Sequence, residues 1–303
     1  MNLLGEYGSD TIPAAIVFER GGRLRARFAS GDTVTLDQTS DTSLATTGAA
    51  SQSWTLRRGP QGDVTALGSW PRHLVGPELG GQLRLTPVRP VAEVLVDARR
   101  AIPPAESGSF RRPTLVEVTT LDSTIHLEIR YATTNDFLGS VFYSSAHAFL
   151  QRPAAEALAQ VERRLRPYGY GLLIHDAYRP WFVTKTFWDA TPPDKHWLVA
   201  NPARGSKHNR GCAVDLTLYD LRTGRPVDMG GTYDEATPRS FSDYPVATDL
   251  QYWHRELLHV VMVDAGFERN PEEWWHFDYR DWRQYPILNA TFEELTAASA
   301  SGR

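Results

Sequence analysis

An aspartate stands in the middle of Ala213-Val214-Asp215-Leu216-Thr217-Leu218, a run otherwise apolar enough to be a core strand. No other feature restricts the fold as tightly. A buried carboxylate with no partner is expensive. Any fold open to this chain must therefore bring a pairing group, a hydrogen-bond donor or a metal ion to Asp215. His208 lies seven residues upstream, in Ser206-Lys207-His208-Asn209-Arg210-Gly211. Seven residues return a helix to one face, whereas an odd spacing on a strand sends two side chains to opposite faces. Gly211 predicts a bend between them, a turn entering the strand that lets His208 and Asp215 converge. Read alone, His208 is a surface histidine beside Lys207 and Arg210.

The second half of the pattern is Glu273-Trp274-Trp275-His276, inside an aromatic stretch that runs on through Phe277-Asp278-Tyr279. Two imidazoles, a carboxylate and a spare glutamate are the components of a hydrolytic zinc site. Such a zinc takes three protein ligands and leaves a fourth position to water, whose proton a nearby carboxylate can remove. The expected ligands of one Zn2+ per chain are His208, Asp215 and His276, with Glu273 as general base. The plainer reading makes this stretch a core strand with a satisfied histidine. Glu272 competes with Glu273, but on a strand adjacent positions point oppositely, so only one of them faces the metal. Arg179, in Asp176-Ala177-Tyr178-Arg179-Pro180, follows the short apolar strand Leu172-Leu173-Ile174. There a guanidinium can stabilise an oxyanion or grip a carboxylate. It can equally form a structural ion pair with Asp176. Cys212 reads as a small packing residue.

Along the chain two grammars alternate. Residues 1–88 carry short alternating runs, among them Ala15–Glu19, Leu24–Phe28 and Val34–Leu36, separated by Gly21-Gly22 and Gly31-Asp32. These are hairpin signals. Further strands are expected near Trp54–Leu56, Val64–Leu67 and Leu83–Leu85, giving a small antiparallel, barrel-like β domain. Residues 89–113 are proline-rich and read as a linker with a short helix around Val91–Ala101. From Thr114 to residue 290 strands and helices alternate. Strands are expected at Thr114–Val118, Ile125–Ile129 and Gly171–Ile174. The helix Ala154–Leu165 should turn Arg163 and Arg164 outward. A second helix, Leu250–Ala265, is capped by Thr248 or Asp249, ended by Gly266, and set with Trp253, Leu257, Val260, Val261 and Ala265 on one face. Residues 291–303 read as a frayed tail.

At 303 residues two domains are expected. The 41% hydrophobic and 22% charged residues are those of an ordinary globular protein, and a net charge of -4 argues against a nucleic-acid or anionic-membrane partner. The single cysteine excludes an intrachain disulfide. No basic n-region precedes an apolar run at the start and no window is long enough to span a membrane, so a cytoplasmic location is expected, or an exported one if the start is a processed or excised end.

The motif Ser206-x-His208-x-x-x-Gly211-x-Ala213-x-Asp215, with Glu273-x-x-His276 and Tyr178-Arg179-Pro180, resembles the zinc D-alanyl-D-alanine dipeptidases linked to vancomycin resistance, in the peptidase M15 group. Tyr131-Ala132-Thr133 and Asn135-Asp136-Phe137 resemble that family's N-terminal segment. The likeness covers roughly Thr114 to Leu288 and leaves the β region aside. It implies an α+β fold with the metal on a central antiparallel sheet with flanking helices. It implies zinc on His208, Asp215 and His276, Glu273 as base and Arg179 as transition-state stabiliser. It also places Ser206 at the substrate carboxylate and Asp234, in Met229-Gly230-Gly231-Thr232-Tyr233-Asp234, near the substrate amine. The implied reaction is hydrolysis of a small D-Ala-D-Ala dipeptide. Two other readings remain: a carboxypeptidase or endopeptidase acting on peptidoglycan stem peptides, and a non-catalytic wall-peptide-binding module with a structural metal. Oligomeric state is not legible.

Overall fold

A computed structural model describes residues 3–9, 13–47, 51–73 and 83–301. By compactness the chain forms two units. One comprises Met1–Gly81, Asp228–Arg239 and Asp243–Glu256; the other comprises Gln82–Val227, Ser240–Ser242 and Leu257–Arg303.

The Gly-Gly and Gly-Asp signals of the first region fold as hairpin turns. Gly21 and Gly22 both take positive φ (62° and 67°), as a two-residue turn between twisted strands requires. The strands are β1 (Gly5–Gly8), β2 (Pro13–Arg20), β3 (Arg23–Phe28), β4 (Thr33–Ser40), β5 (Ser43–Thr46), β6 (Ser53–Arg58), β7 (Val64–Leu67) and β8 (Trp70–His73). Each pairs with the next, and β1 pairs antiparallel with β8, so the sheet closes into an eight-stranded barrel without free edges. Alternating residues point inward: Tyr7, Val17, Ala26, Leu36, Leu44, Leu56, Val64 and Leu67 fill the interior with Leu3. The buried Tyr7 hydroxyl donates to the Leu3 carbonyl at 2.6 Å. Leu83–Leu85, expected as a strand, is irregular; the Leu85 amide donates instead to the Phe137 carbonyl.

In the second unit, α1 (Val91–Arg100) buries Val91, Val94 and Ala98 and packs on α3 (Trp181–Ala190). The segment 89–113, read above as a linker, thus belongs to the body of this unit. β9 (Leu115–Glu117) and β11 (Phe149–Gln151) form a small antiparallel pair. The main sheet has the order β10 (His126–Leu127), β12 (Tyr170–Asp176), β13 (Ala213–Asp220), β15 (His276–Tyr279), β14 (Phe267–Arg269). All its pairings are antiparallel except β10 with β12, so the sheet is mixed at one edge rather than wholly antiparallel. Against it lies α2 (Arg152–Leu165), with Leu158, Val161 and Leu165 buried and Arg163 and Arg164 exposed as its periodicity predicts.

Two helices also differ from expectation. The helix α4 (Asp249–Asp264) starts with a reciprocal cap, Gln251 N–H to Thr248 Oγ1 at 3.1 Å and Thr248 N–H to Gln251 Oε1 at 3.0 Å. Its buried face is His254, Arg255, Leu258, Val261 and Met262, while Trp253 and Val260 are 40% and 51% exposed. The polar residues turn inward because backbone carbonyls receive them: Asp228 O lies 3.1 Å from His254 Nδ1, and Met229 O accepts from Arg255 Nε at 2.6 Å. The expected tail is a helix, α5 (Phe292–Ser301), opened by a Thr291–Glu294 capping box and anchored by buried Phe292 against Tyr143. Its last two residues, 302 and 303, lie outside the described residues. Among the described residues no helix is long and apolar enough to cross a membrane.

Candidate metal centre

The centre of the second unit is set by register. Across the sheet Asp176 on β12 stands opposite Asp215 on β13, and Asp215 stands opposite His276 on β15. An irregularity between Ile174 and Asp176 shifts the pairing past His175 and brings Asp176 into this row. His208 arrives from a single 3-10 turn, His208–Arg210, closed by Gly211 in the left-handed region (φ 66°). Gly211 is needed twice over: a β-carbon there is conformationally disfavoured and would run into Leu115. The bend expected at Gly211 is therefore real, and His208 and Asp215 do converge.

Three donor atoms face one point. His208 Nε2 lies 3.2 Å from His276 Nδ1, His276 Nδ1 lies 2.9 Å from Asp215 Oδ1, and His208 Nε2 lies 3.5 Å from Asp215 Oδ1. A tetrahedral zinc with ligands at roughly 2.0–2.1 Å spaces its donors about 3.3 Å apart. The triangle fits that ion. All three side chains are buried.

The other edge of each imidazole is fixed by an acceptor. His208 Nδ1 is 2.7 Å from the Ala177 carbonyl, so it carries the proton and leaves Nε2 with the lone pair. His276 Nε2 is 2.9 Å from Asp278 Oδ1, which leaves Nδ1 to face the centre. Asp278 in turn pairs with Lys207, which lies next to His208 in the chain. These are the outer partners that orient metal-binding histidines. Without a metal the cluster is held by charge. Burial lowers the proton affinity of His276, but hydrogen bonds with Asp215 and Asp278 overcome it and raise the imidazole well above its ordinary range. Burial likewise pushes Asp215 up, and His208 and His276 together hold it far below the usual carboxylate range.

Glu273 Oε2 lies 3.7 Å from His276 Nδ1 and accepts from Asn270 Nδ2 at 3.0 Å. The carboxylate sits in a turn rather than on a strand: β15 begins at His276, whose amide donates to the Glu273 carbonyl at 3.2 Å. The strand alternation expected to turn only one of Glu272 and Glu273 to the metal therefore does not apply; the turn does the selecting, with Glu272 left exposed. Burial raises the pKa of Glu273 above the usual glutamate value, Asp215 adds to the rise, and His276, His208 and Arg179 oppose it. Its side chain keeps 38% of its surface open to solvent, so the rise is smaller than complete enclosure would give.

Arg179 follows β12. Its Nε and a terminal nitrogen both donate to Asp176 Oδ2, at 3.0 and 2.7 Å, while Tyr143 donates its hydroxyl to Asp176 Oδ1 at 2.7 Å. The guanidinium packs against the rings of Tyr131 (5.2 Å) and Phe187 (4.9 Å), whose centres are themselves 4.8 Å apart. The ion pair with Asp176 thus exists, and it fixes an arginine that acts electrostatically on Glu273. Ser206 heads the 3-10 turn, with its Oγ 3.3 Å from the His208 amide. Asp234 lies in the other unit, in a turn with φ 55°, the only described non-glycine residue with positive φ. Sequence reasoning missed Asp278 and treated Asp176 only as a partner of Arg179. Asp278 had a signal: two residues beyond His276 on a strand, it shares that residue's face.

A family model described as D-ala-D-ala dipeptidase, peptidase M15, matches residues 111–296. The chain belongs to this family. It is 34% identical over 178 residues to the D-alanyl-D-alanine dipeptidase of Escherichia coli K12, covering 91% of that protein and 59% of this chain. It is 32% identical over 196 residues to the Enterococcus faecium protein of the same name (96% of that protein, 58% of this chain). The Streptomyces coelicolor protein, again a D-alanyl-D-alanine dipeptidase, is 32% identical over 182 residues (90% and 54%). Membership makes the chain a metallopeptidase, and the family match spans the whole His208–Asp215–Glu273–His276 constellation.

Proposed function

We propose that this chain hydrolyses the free dipeptide D-Ala-D-Ala at a single zinc ion held by His208, Asp215 and His276. The observation that carries the reading is the triangle of His208 Nε2, Asp215 Oδ1 and His276 Nδ1 with a carboxylate, Glu273, beside it. The ion would polarise the scissile carbonyl and bring the pKa of water towards neutrality.

The chain's own groups supply the rest. Glu273, with a raised pKa, takes the proton of the attacking water and passes it to the departing amine. Arg179, locked by Asp176 and packed against the rings of Tyr131 and Phe187, presents positive charge to the oxygen that becomes negative as the carbonyl turns tetrahedral. Asp278 and the Ala177 carbonyl keep both imidazoles in the tautomer that offers a lone pair to the metal. By resemblance, Ser206 contacts the substrate carboxylate and Asp234 pairs with its ammonium group.

The ammonium partner separates a dipeptidase from an enzyme of longer stem peptides. The purified zinc-loaded chain should release D-alanine from D-Ala-D-Ala and leave its N-acetyl form nearly untouched. Cleavage of the acetylated form alone would overturn the assignment in favour of a carboxypeptidase.

A further inference from the structure

The family match begins at residue 111, and the first two relatives are covered over 91% and 96% of their own lengths, which leaves them no room for an eight-stranded barrel. The barrel is an addition, and within its own unit it grips two pieces of the family sequence, Asp228–Arg239 and Asp243–Glu256. The turn between β2 and β3 directs the amides of Gly21 and Gly22 onto the two carboxylate oxygens of Asp249, at 3.0 and 2.9 Å. The Glu19 amide donates to the Ala247 carbonyl at 2.7 Å, and the Arg20 guanidinium lies 3.6 Å from the centre of the Tyr252 ring. Ile16, on the outside of β2, packs with Tyr244 and Val246.

From β1 a polar chain runs inward. Tyr244 donates to Glu6 Oε1 at 2.5 Å, and the same oxygen is 4.0 Å from Arg239. Arg239 Nε donates to Glu235 Oε1 at 2.6 Å, and Glu235 Oε2 accepts the Thr232 amide at 2.9 Å. Arg255 closes the network on the Met229 and Arg239 carbonyls, at 2.6 and 2.9 Å. Asp234 sits between Thr232 and Glu235 in its left-handed conformation, which persists only where surrounding contacts dictate it. Gly230, also left-handed (φ 73°), leaves no space for a β-carbon against Val246.

We propose that the barrel is a positioning element for substrate recognition. Through Glu6, Tyr244 and Asp249 it fixes the 232–239 turn, and with it Asp234, in the conformation that receives the ammonium group of a free dipeptide. This rests on the function proposed above for Asp234.

The test uses the full zinc-loaded chain and the variants Glu6→Gln, Tyr244→Phe and Asp249→Ala, the first two chosen to keep packing intact. Amide hydrogen exchange of residues 228–240 should quicken in each. KM for D-Ala-D-Ala should rise about 2- to 30-fold, the span for substitutions acting through intervening residues. The turnover number and zinc content should stay at wild-type values, and the preference for free over N-acetylated dipeptide should narrow. Unchanged exchange and KM in the two conservative variants would overturn the proposal. A parallel fall in turnover and zinc content would also overturn it, by reducing the barrel to general stability. If the wild type cleaves no D-Ala-D-Ala, the functional assignment fails, and the exchange rates still decide whether the barrel holds the turn.

Discussion

Two eight-residue strands, β2 in the barrel and β13 in the peptidase sheet, use burial in opposite ways. β2 buries Ala15, Ile16, Val17 and Phe18, all apolar, and burial there stabilises the fold by removing hydrocarbon from water. β13 is buried over seven residues and includes Asp215, which no folding requirement explains. A carboxylate there subtracts from stability unless it is compensated, and two imidazoles compensate it. Substitutions of the apolar residues packed inside the barrel should therefore change stability and spare chemistry. Removal of the polar groups that surround Asp215 should do the reverse.

The sharpest break of this contrast is Glu273→Ala. Zinc content and melting temperature should stay near wild type while turnover falls about 10²- to 10⁴-fold, the usual worth of a general base. Metal analysis beside a D-alanine release assay checks it, and retained activity would remove Glu273 from the mechanism. Leu44→Ala, at a fully buried barrel position, should cost about 2–5 kcal/mol in denaturant unfolding of the first unit and leave turnover unchanged. Asp278→Asn should weaken zinc affinity about 10- to 100-fold in a chelator competition, because an uncharged amide oxygen replaces the carboxylate that accepts from His276 and raises its basicity as a ligand. The smallest test sets two glycines against each other. Gly22 and Gly211 have nearly the same φ, 67° and 66°, but Gly22 faces open space and Gly211 faces Leu115. Gly22→Ala should cost roughly 1–2 kcal/mol of strain, and Gly211→Ala clearly more, together with lost zinc.

Much of the site was legible because its chemistry conflicts with its surroundings. Asp215 inside an apolar strand and Gly211 after His208 are local signals, and the structure brings those residues together. Strand alternation allowed only one of Glu272 and Glu273 to face the metal, yet the chain turns there, since β15 starts only at His276. The inward face of α4 was misread because His254 and Arg255 look like surface residues until the carbonyls of Asp228 and Met229 receive them. The final helix did carry a signal, the reciprocal Thr291–Glu294 cap, which the polar ending masked. Strands β1, β5 and β8 are four residues each and, unlike the equally short Val64–Leu67, hold too few apolar residues for alternation to show. The grouping of 228–239 and 243–256 with the barrel depends on contacts between residues more than 200 positions apart, such as Gly21 with Asp249, and no local pattern announces those.

The central claim is a catalytic zinc on His208, Asp215 and His276. The most direct measurement removes metal with a chelator, restores zinc in steps, and follows bound zinc and D-alanine release from D-Ala-D-Ala together. Activity should vanish on removal and return in proportion to zinc, saturating at one ion per chain. Full turnover by the metal-free chain, or zinc bound equally well after His208→Ala, would contradict it.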